Sequence, residues 1–295
     1  MKVLLAGEID AVWRRELDAA MPEADWVERE GQDDSGDDAE AAVVANPPPG
    51  ALAGQTRLRL IQSLWAGVDR LLGDATLPPG VPIARMVDPL MGAAMAETAL
   101  WATLSLHRGF FAYARQQREG LWRELVQRRA DEVGVLVLGQ GRMGQAAAER
   151  IAQQGYRVSG WRRGVALAPL LASSEIVINL LPLTGETSGM LNAGFFAALP
   201  AGASIVNLGR GRHLVDADLL AALGRGHLQH AVLDVFHAEP LPRGHAFWAH
   251  PKVTVLPHAA AMTDPRSAAA VAARNLRALR DGRPLAYLVD QQRGY

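Results

Sequence analysis

Three glycines after a short apolar run form the pattern with the clearest chemical meaning. Gly139, Gly141 and Gly144 spell G-x-G-x-x-G directly after residues 133–138, and an Ala-rich segment follows them. The first glycine permits a tight turn, the second lets the backbone approach a pyrophosphate, and the third allows close packing of helix on strand. The N–H groups and partial positive charge of the helix N-terminus would then face the phosphates. The pattern predicts a dinucleotide site, the alternative being a glycine-rich turn without a ligand.

The next strand-like stretch ends in "WRR", which is Trp161, Arg162 and Arg163. NAD sites have an Asp or Glu about 20 residues into the motif, which accepts from the ribose 2′-OH. Arg162 occupies that position here. Two guanidinium groups can instead bind a 2′-phosphate through charge-assisted hydrogen bonds, and Trp161 is placed to flank the adenine. These residues predict NADP(H) as the preferred cofactor and NAD(H) as an acceptable one. An exposed basic turn is the alternative.

The rest of the chain must supply the elements that position these residues. With 295 residues, 49% of them hydrophobic, the chain can bury a large core, and its length suggests two domains. Short apolar runs in the first ~90 residues alternate with helix-compatible segments, which is typical of a small α/β domain. An Ala- and Leu-rich stretch over residues 90–122 predicts one long helix that connects the two domains.

Charge and composition exclude several classes of function. The formal net charge is -1 and the pI about 6.7, so no global field attracts nucleic acid or an anionic membrane. The absence of cysteine excludes disulfides, thiolate nucleophiles and sulfur-ligated metals. The apolar stretch over residues 90–106 contains Glu97 and is shorter than the roughly 20 residues that a membrane span needs. We therefore expect a cytoplasmic protein with neither nucleic acid nor membrane as a partner.

Histidine and acidic clusters give little indication of a metal site. His227 and His230 are close in sequence, but their surroundings look like a turn into a strand. The acidic run Glu30–Glu40 is typical of a solvated loop. No metal site is predicted. Five other histidines are interpreted as surface or structural residues: His107, His213, His237, His245 and His250.

Several longer stretches resemble a known enzyme family. They are "SLWAGVD" near the front; "LLASSEIVINLLPLTGETSGMLNAGFFAALPAGASIVNLGRGRHLVDADLLAAL", "AVLDVFHAEPLP" and "LPHAAAMT" downstream; and "VDQQRGY" at the end. In this order, and over nearly the whole chain, they resemble the D-isomer-specific 2-hydroxyacid dehydrogenases, in particular the glyoxylate/hydroxypyruvate reductase branch. The resemblance implies an α/β fold with two domains and a cleft between them. A flavodoxin-like substrate domain would comprise residues 1–88, rejoined by 265–295, and a Rossmann-type doubly wound parallel sheet domain would comprise residues 89–264.

The resemblance also implies a reaction and its catalytic residues. Arg210 in "NLGRG" matches the family arginine that binds the carboxylate and carbonyl of a 2-keto acid, while Glu239 and His258 match the acid–base pair. Hydride transfer to a ketone builds alkoxide character, which needs a proton donor with a pKa near neutrality. The implied reaction is NADPH-dependent reduction of glyoxylate, hydroxypyruvate or a similar small 2-keto acid to the D-2-hydroxy acid. A dehydrogenase for a larger 2-keto acid and a catalytically silent NAD(P)-sensing protein are the alternatives.

Further residues take roles from the resemblance. The N–H groups of Ala66 and Gly67 are expected to hold the substrate carboxylate, with Trp65 shaping the pocket. Asp234 matches a residue that bonds the nicotinamide carboxamide, and residues 181–182 match a loop beside the adenine ribose. The predicted cofactor-binding residues are Gly139, Gln140, Gly141, Arg142, Met143, Gly144, Trp161, Arg162, Arg163, Leu181, Pro182, Leu208, Gly209 and Asp234. The predicted substrate-binding residues are Trp65, Ala66, Gly67, Arg210 and His258.

The family also implies an assembly. A homodimer is expected, and some relatives project a tryptophan across the dimer interface toward the neighbouring substrate pocket. Trp122 is the candidate for that residue in this sequence. Packing of Trp122 within its own subunit is the alternative.

One stretch is shorter than the family pattern. Relatives usually have a further strand between the cofactor-selecting turn and the "LLASSEIV" segment, whereas only "GVALAP" intervenes here. In the strand order 3-2-1-4-5-6 the third strand lies at the edge of the sheet, so it can be lost without opening the middle. We expect the second strand to become the edge, which leaves Arg162 and Arg163 more exposed to solvent and salt.

Overall fold

The computed structural model describes residues 1–28 and 38–291 of the chain. Most of the acidic run Glu30–Glu40, predicted as a solvated loop, lies outside the described residues. The last four residues of the "VDQQRGY" segment also lie outside them.

The chain divides into two compact units. The terminal unit comprises Met1–Met91 and Thr263–Tyr295, and the central unit comprises Gly92–Met262. Residues 89–91 and 263–264, which the sequence assigns to the dinucleotide-binding domain, fall in the terminal unit.

The terminal unit contains a parallel sheet with helices beside it. Its strands are β1 (Lys2–Gly7), β2 (Asp25–Glu28), β3 (Ala41–Ala45), β4 (Leu60–Ser63) and β5 (Ile83–Ala84). Its helices are α1 (Ala11–Ala20), α2 (Asp69–Leu72) and α9 (Pro265–Arg280). The strand order is β2-β1-β3-β4-β5, all parallel. This is the order of flavodoxin-like folds, as the sequence predicts.

The helix near the C-terminus of the chain packs onto the sheet formed by its first residues. Trp13 and Leu17 of α1 share one helix face because they are four residues apart, and they pack in one core with Leu276 of α9. Asn275 of α9 donates from Nδ2 to Oε1 of Gln62 on β4 at 2.7 Å. Both polar side chains are buried, so this bond replaces the solvation that each loses.

The central unit is built on a second parallel sheet. Its strands are β6 (Gly134–Leu138), β7 (Arg157–Trp161), β8 (Ile176–Asn179), β9 (Ala203–Asn207), β10 (Leu228–Leu233) and β11 (Val253–Val255). Its helices are α3 (Pro89–His107, whose first residues belong to the terminal unit), α4 (Phe110–Arg118), α5 (Arg142–Ala152), α6 (Ala168–Ala172), α7 (Ala193–Ala197) and α8 (Asp216–Gly224). The strand order is β11-β10-β9-β8-β6-β7, all parallel. β7 lies on one side of β6 and the later strands are added on the other side, as in a Rossmann fold. The predicted fold class is confirmed.

Strand β6 shows how the sequence fixes the middle of this sheet. Val135 and Val137 pack in one apolar core and Leu136 and Leu138 in another. Successive side chains of a strand point to opposite faces of the sheet. A strand covered on both faces must therefore be apolar throughout, and "GVLVL" meets that requirement.

Strand β7 is the edge of the central sheet. It pairs with β6 only, and no strand lies beyond it within residues 92–262, all of which the structure describes. After Trp161 the chain turns, and α6 begins at Ala168. The predicted loss of the edge strand is confirmed.

The single long helix predicted over residues 90–122 is wrong. α3 ends at His107 and α4 begins at Phe110, with Gly109 between them at φ 73°. A Cβ at Gly109 would lie 2.7 Å from Cδ1 of Leu125, so both the left-handed conformation and this contact favour glycine. In the described ranges, no helix combines the length and the apolar character needed to cross a membrane.

Candidate active site

The glycine turn joins β6 to α5, and its three glycines meet different constraints. Gly139 has φ 96°, and a Cβ there would lie 2.6 Å from the carbonyl oxygen of Leu180. A Cβ at Gly144 would lie 1.9 Å from the carbonyl oxygen of Gly139. At Gly141, by contrast, a Cβ would meet nothing within 4 Å. The first and third glycines are needed for packing of the protein itself, whereas the second leaves open space beside the backbone.

The N-terminus of α5 has the features of an anion site. Gly141 is its N-cap, and no side chain in the described residues caps the helix there. The first N–H groups of a helix have no partner within the helix, and the helix dipole favours negative charge at this end. The open side of Gly141 and the glycine cap together fit the pyrophosphate of a dinucleotide.

Gln140 closes the turn on the side of the edge strand. Its Nε2 donates to the carbonyl oxygens of Val137 at 3.2 Å and Gly139 at 3.3 Å. A Cβ at Gly160 would lie 2.4 Å from Cδ of Gln140. Gly160, which sequence reasoning missed, therefore provides the space for the Gln140 side chain, and its only signal is its place immediately before "WRR".

The predicted 2′-phosphate residues lie at the exposed edge of the sheet. Trp161 ends β7, its carbonyl oxygen accepts from the N–H of Gly139 at 3.0 Å, and its Nε1 donates to the carbonyl oxygen of Val165 at 2.8 Å. Arg162 and Arg163 are exposed, and Arg163 forms an ion pair with Glu186 at 2.9 Å. The exposure that the sequence predicts for the two arginines is confirmed.

Asp234 lies at the end of β10 and organises the turn that carries His258. Its side chain is 1% exposed. Its carboxylate accepts from the N–H of Ala259 at 2.7 Å and of Ala260 at 3.1 Å, and its carbonyl oxygen accepts from the N–H of His258 at 2.9 Å. Burial raises the pKa of Asp234 although these N–H groups act to lower it. His258 has φ 54°, a left-handed conformation that this turn maintains.

His258 and Glu239 form a hydrogen-bonded pair. Nδ1 of His258 lies 2.7 Å from Oε2 of Glu239, and Oε1 of Glu239 accepts from the N–H of Phe236 at 2.8 Å. The hydrogen bond between His258 and Glu239 raises the pKa of His258 against the opposing effect of burial. For Glu239, burial acts to raise the pKa, but the bonds from His258 and Phe236 outweigh it and the pKa is lowered. Because the carboxylate accepts, Nδ1 carries a proton, and Nε2 is left for a ligand.

Arg210 completes the group of predicted catalytic residues. It follows β9, is half-buried, and its Nη1 donates to the carbonyl oxygen of Gly209 at 2.7 Å. Its positive charge contributes to the lowered pKa of Glu239 and acts against the raised pKa of His258, so it lies within electrostatic range of both. A Cβ at Gly211 would lie 2.0 Å from the carbonyl carbon of Phe236. This close backbone approach packs the turn after β9 against the turn after β10 and brings the three predicted catalytic residues together.

The remaining predicted cofactor residues present mainly backbone. Leu181 and Leu208 are buried in the two apolar cores, so only their main-chain groups can face a ligand. Pro182 accepts on its carbonyl oxygen from Oγ1 of Thr187 at 2.8 Å. Arg142 is exposed, and Met143 is half-buried against one of the cores.

The predicted substrate loop belongs to the terminal unit. Trp65, Ala66 and Gly67 follow β4 and are half-buried. Oγ of Ser63 accepts from the N–H of Trp65 and donates to its carbonyl oxygen, both at 3.1 Å. The Trp65 ring meets that of Trp13 edge to face at 5.8 Å. Among the described residues, nothing bonds the buried Nε1 of Trp65.

Two further predictions concern residues outside this group. Trp122 is 97% exposed, so the alternative that it packs within its own subunit is wrong. In the described part of the chain, no group of three or more His, Asp or Glu side chains is arranged to hold a metal ion.

Comparisons with known proteins identify the family. The family profile described as "D-isomer specific 2-hydroxyacid dehydrogenase, NAD binding domain" matches residues 100–260. Glyoxylate/hydroxypyruvate reductase A of Serratia proteamaculans is 41% identical over 280 residues, which cover 88% of this chain and 90% of the relative.

Two solved structures extend the similarity to the whole fold. A D-isomer specific 2-hydroxyacid dehydrogenase from Xanthobacter autotrophicus, in complex with NADPH and MES, is 38% identical with a TM-score of 0.94, covering 100% of this chain and 99% of that one. An NADPH-dependent glyoxylate/hydroxypyruvate reductase from Sinorhizobium meliloti, in complex with NADP and sulfate, is 32% identical with a TM-score of 0.91 and the same coverage. The resemblance noted in the sequence is confirmed, and the chain belongs to the D-isomer specific 2-hydroxyacid dehydrogenase family.

Proposed function

We propose that this protein catalyses the NADPH-dependent reduction of a small 2-keto acid, of the glyoxylate or hydroxypyruvate type, to the D-2-hydroxy acid. The observation that carries the proposal is the bonded pair His258–Glu239 within electrostatic range of Arg210. Arg210 follows β9, Glu239 follows β10 and His258 follows β11, all in the sheet whose first turn fits a dinucleotide. The names of the relatives from Serratia proteamaculans and Sinorhizobium meliloti support this reaction.

The cofactor would be held along the carboxyl edge of the central sheet. The N–H groups around Gly141 would bind the pyrophosphate, Arg162 and Arg163 the 2′-phosphate, and Trp161 would flank the adenine. Asp234 would contact the nicotinamide carboxamide. When bound, NADPH supplies the hydride. NAD(H) could occupy the same site with fewer contacts because it lacks the 2′-phosphate.

His258 would donate the proton that the new hydroxyl needs. Glu239 accepts from Nδ1 and raises the pKa of His258, which favours the imidazolium form. The proton on Nε2 would pass to the carbonyl oxygen as alkoxide character develops. After the transfer, Nδ1 still donates to the carboxylate and keeps the ring in place.

Arg210 and the terminal-unit loop would bind the substrate. The Arg210 guanidinium would pair with the carboxylate of the 2-keto acid and polarise its carbonyl, by positioning and electrostatics. The N–H groups of Ala66 and Gly67 would hold the carboxylate, and Trp65 would limit the size of the side chain admitted. On this basis residues 1–88 with 265–295 would form the substrate domain and residues 89–264 the cofactor domain.

The protein would act as a cytoplasmic homodimer. Support comes from large apolar side chains left exposed on α3, α4 and the segment after them, with Trp101 41%, Phe110 54% and Trp122 97% exposed. Large apolar side chains exposed in this way support an interaction surface. Trp122 would lie at the interface and contact the partner subunit. Light scattering of the wild type and of Trp122→Ala would test the assembly.

The reaction is tested by adding a 2-keto acid and monitoring the oxidation of NADPH through the loss of its absorbance. Glyoxylate and hydroxypyruvate are expected to be reduced faster than pyruvate and phenylpyruvate. Preference for phenylpyruvate would favour the alternative of a dehydrogenase for larger 2-keto acids. If no small 2-keto acid oxidises NADPH or NADH, the reductase proposal is wrong and a cofactor-sensing role replaces it.

A further inference from the structure

A cluster of three buried polar side chains lies beneath the turn that carries Arg210. Asn179 ends β8 and Asn207 ends β9, where the two residues are register partners, and His213 ends the 3-10 turn Gly211–His213. Their exposed fractions are 1%, 0% and 0%. Buried polar groups of this kind must be hydrogen-bonded to persist, and the partners here are main-chain atoms of predicted ligand-binding turns.

Main-chain groups fix the orientation of both asparagines, because an N–H only donates and a carbonyl only accepts. Oδ1 of Asn179 accepts from the N–H of Leu181 at 3.2 Å. Oδ1 of Asn207 accepts from the N–H of Gly209 at 3.3 Å, and its Nδ2 donates to the carbonyl oxygen of Arg210 at 3.1 Å. Nδ2 of Asn179 donates to Oδ1 of Asn207 at 2.9 Å. The two amides are therefore oriented without ambiguity.

The same reasoning fixes the tautomer of His213. Its Nδ1 faces two groups that can only donate, Nδ2 of Asn179 at 2.8 Å and the N–H of Arg210 at 3.2 Å, so Nδ1 is the acceptor. Its Nε2 lies 3.2 Å from the carbonyl oxygen of Pro182, which can only accept. His213 is thus the neutral ring with the proton on Nε2. One ring holds the main chain of Arg210 through one nitrogen and that of Pro182 through the other.

The glycine before Arg210 lies directly on this cluster. A Cβ at Gly209 would lie 3.0 Å from Nδ2 of Asn179 and 3.2 Å from Nδ1 of His213. The main chain of the turn and the imidazole are therefore in contact without intervening space. A shift of the His213 ring would be transmitted to Gly209 and Arg210.

We infer that His213 is a positioning residue that couples the cofactor loop at Leu181 and Pro182 to the substrate-binding turn at Arg210. The inference rests on the proposed function for the roles of those two segments. The ring touches neither ligand itself; it fixes the distance between the two segments that do. A neutral ring is required, since a second proton on Nδ1 would face the donors from Asn179 and Arg210 in a buried site.

Two substitutions separate the two bonds. In His213→Asn, Oδ1 can take the place of Nδ1 as acceptor for Arg210, but the side chain is too short to reach Pro182. In His213→Gln, Nε2 can take the place of the ring Nε2 as donor to Pro182, but the acceptor for Arg210 is lost. Loss of one such hydrogen bond corresponds to about a fivefold to tenfold change in an equilibrium constant.

The expected result is a split between two readouts. His213→Asn should raise the Kd of NADPH, measured by fluorescence without substrate, and leave the KM for glyoxylate near the wild-type value. His213→Gln should raise the KM for glyoxylate at saturating NADPH and leave the Kd of NADPH unchanged. His213→Ala should change both. The Kd measurement needs no turnover, so it remains informative if the wild type reduces none of the keto acids.

His227 provides the matched control. It is a half-buried histidine of the same unit whose Nε2 bonds the carbonyl oxygen of Phe196 at 2.8 Å. His227→Asn and His227→Gln should leave the Kd and the KM unchanged, whatever their effect on Tm. If His213→Asn and His213→Gln each raise Kd and KM in equal proportion, or lower only the Tm, His213 is merely structural and the inference is wrong.

Discussion

The two sheets begin with the same backbone geometry but differ in the chemistry of the first helix cap. β1 ends at Gly7 and β6 is followed by Gly139; both glycines have φ 96° and both lie against a carbonyl oxygen of the neighbouring strand or its end. In the terminal unit Asp10 then caps α1, and its Oδ1 accepts from the N–H groups of Val12 and Trp13 at 2.9 Å. In the central unit the cap of α5 is Gly141, which has no side chain to offer.

This difference decides which helix N-terminus can accept an anion. A carboxylate cap satisfies the first N–H groups and places a negative charge where a phosphate would lie. A glycine cap leaves the same groups for a ligand. The positive φ of the glycine after the first strand is therefore shared by the two units, and the residue at the cap separates a structural turn from a cofactor site.

Giving α5 the cap of α1 should have the largest effect. In Gly141→Asp, the carboxylate competes for the N–H groups and repels the pyrophosphate, and loss of two charge-assisted hydrogen bonds corresponds to about a 100-fold rise in the Kd of NADPH. Fluorescence titration measures it, and unchanged Tm confirms that the turn still folds. Binding as tight as that of the wild type would contradict the assignment of this turn.

The central sheet also carries an acid–base pair, and Glu239→Gln weakens it. Glu239 raises the pKa of His258, and in the proposed reaction the protonated form is the donor, so activity should fall as pH rises through that pKa. The neutral amide no longer raises it, so the falling limb of the pH–rate profile should move to lower pH. The kcat should drop roughly 10- to 100-fold near neutrality. A falling limb at the same pH as in the wild type would rule out Glu239 as the group that sets its position.

A substitution at the adenine end of the same sheet should have a smaller effect, and only on the binding of NADPH. Arg162→Ala removes one charged donor to a 2′-phosphate and should raise the Kd of NADPH about tenfold. The Kd of NADH should stay the same, because NADH has no such phosphate. Arg157→Ala, at the other end of β7, is the control and should affect neither cofactor. Equal losses for both cofactors would show that Arg162 does not select NADPH.

Removing the acidic cap of the terminal unit should have the smallest effect on function. Asp10→Ala is expected to cost about 1 kcal/mol in the free energy of unfolding. The Kd of NADPH should not change, because this helix holds no cofactor in our proposal. Urea unfolding and fluorescence titration measure the two quantities. A weaker Kd would mean that the terminal unit takes part in binding NADPH.

The sequence predicts the parts of the molecule that depend on local patterns. The glycine turn and the apolar strand β6 follow from residues that are close together in the chain, and the edge position of β7 follows from a stretch that is shorter than in the family pattern. The break at Gly109 was not predicted, because its side-chain contact comes from Leu125 and the residues around it favour helix.

The inferred role of His213 shows a second limit of prediction from the sequence. As a single histidine in the sequence it is interpreted as a surface or structural residue, and nothing in its sequence neighbours indicates a different role. Its partners Asn179 and Pro182 lie about thirty residues earlier in the chain, and only the pairing of β8 with β9 brings them together. A tertiary hydrogen-bond network of this kind has no local signature.

The edge position of β7 has a consequence for how this enzyme could change during evolution. The side chains of Arg162 and Arg163 contribute nothing to the cores, so exchanging them should alter unfolding free energy by no more than about 0.5 kcal/mol. Asp234, which we assign to the cofactor site, has no comparable freedom, because its buried carboxylate holds the N–H groups of Ala259 and Ala260. Preference between the two nicotinamide coenzymes can therefore drift by surface substitutions while the reaction itself is conserved.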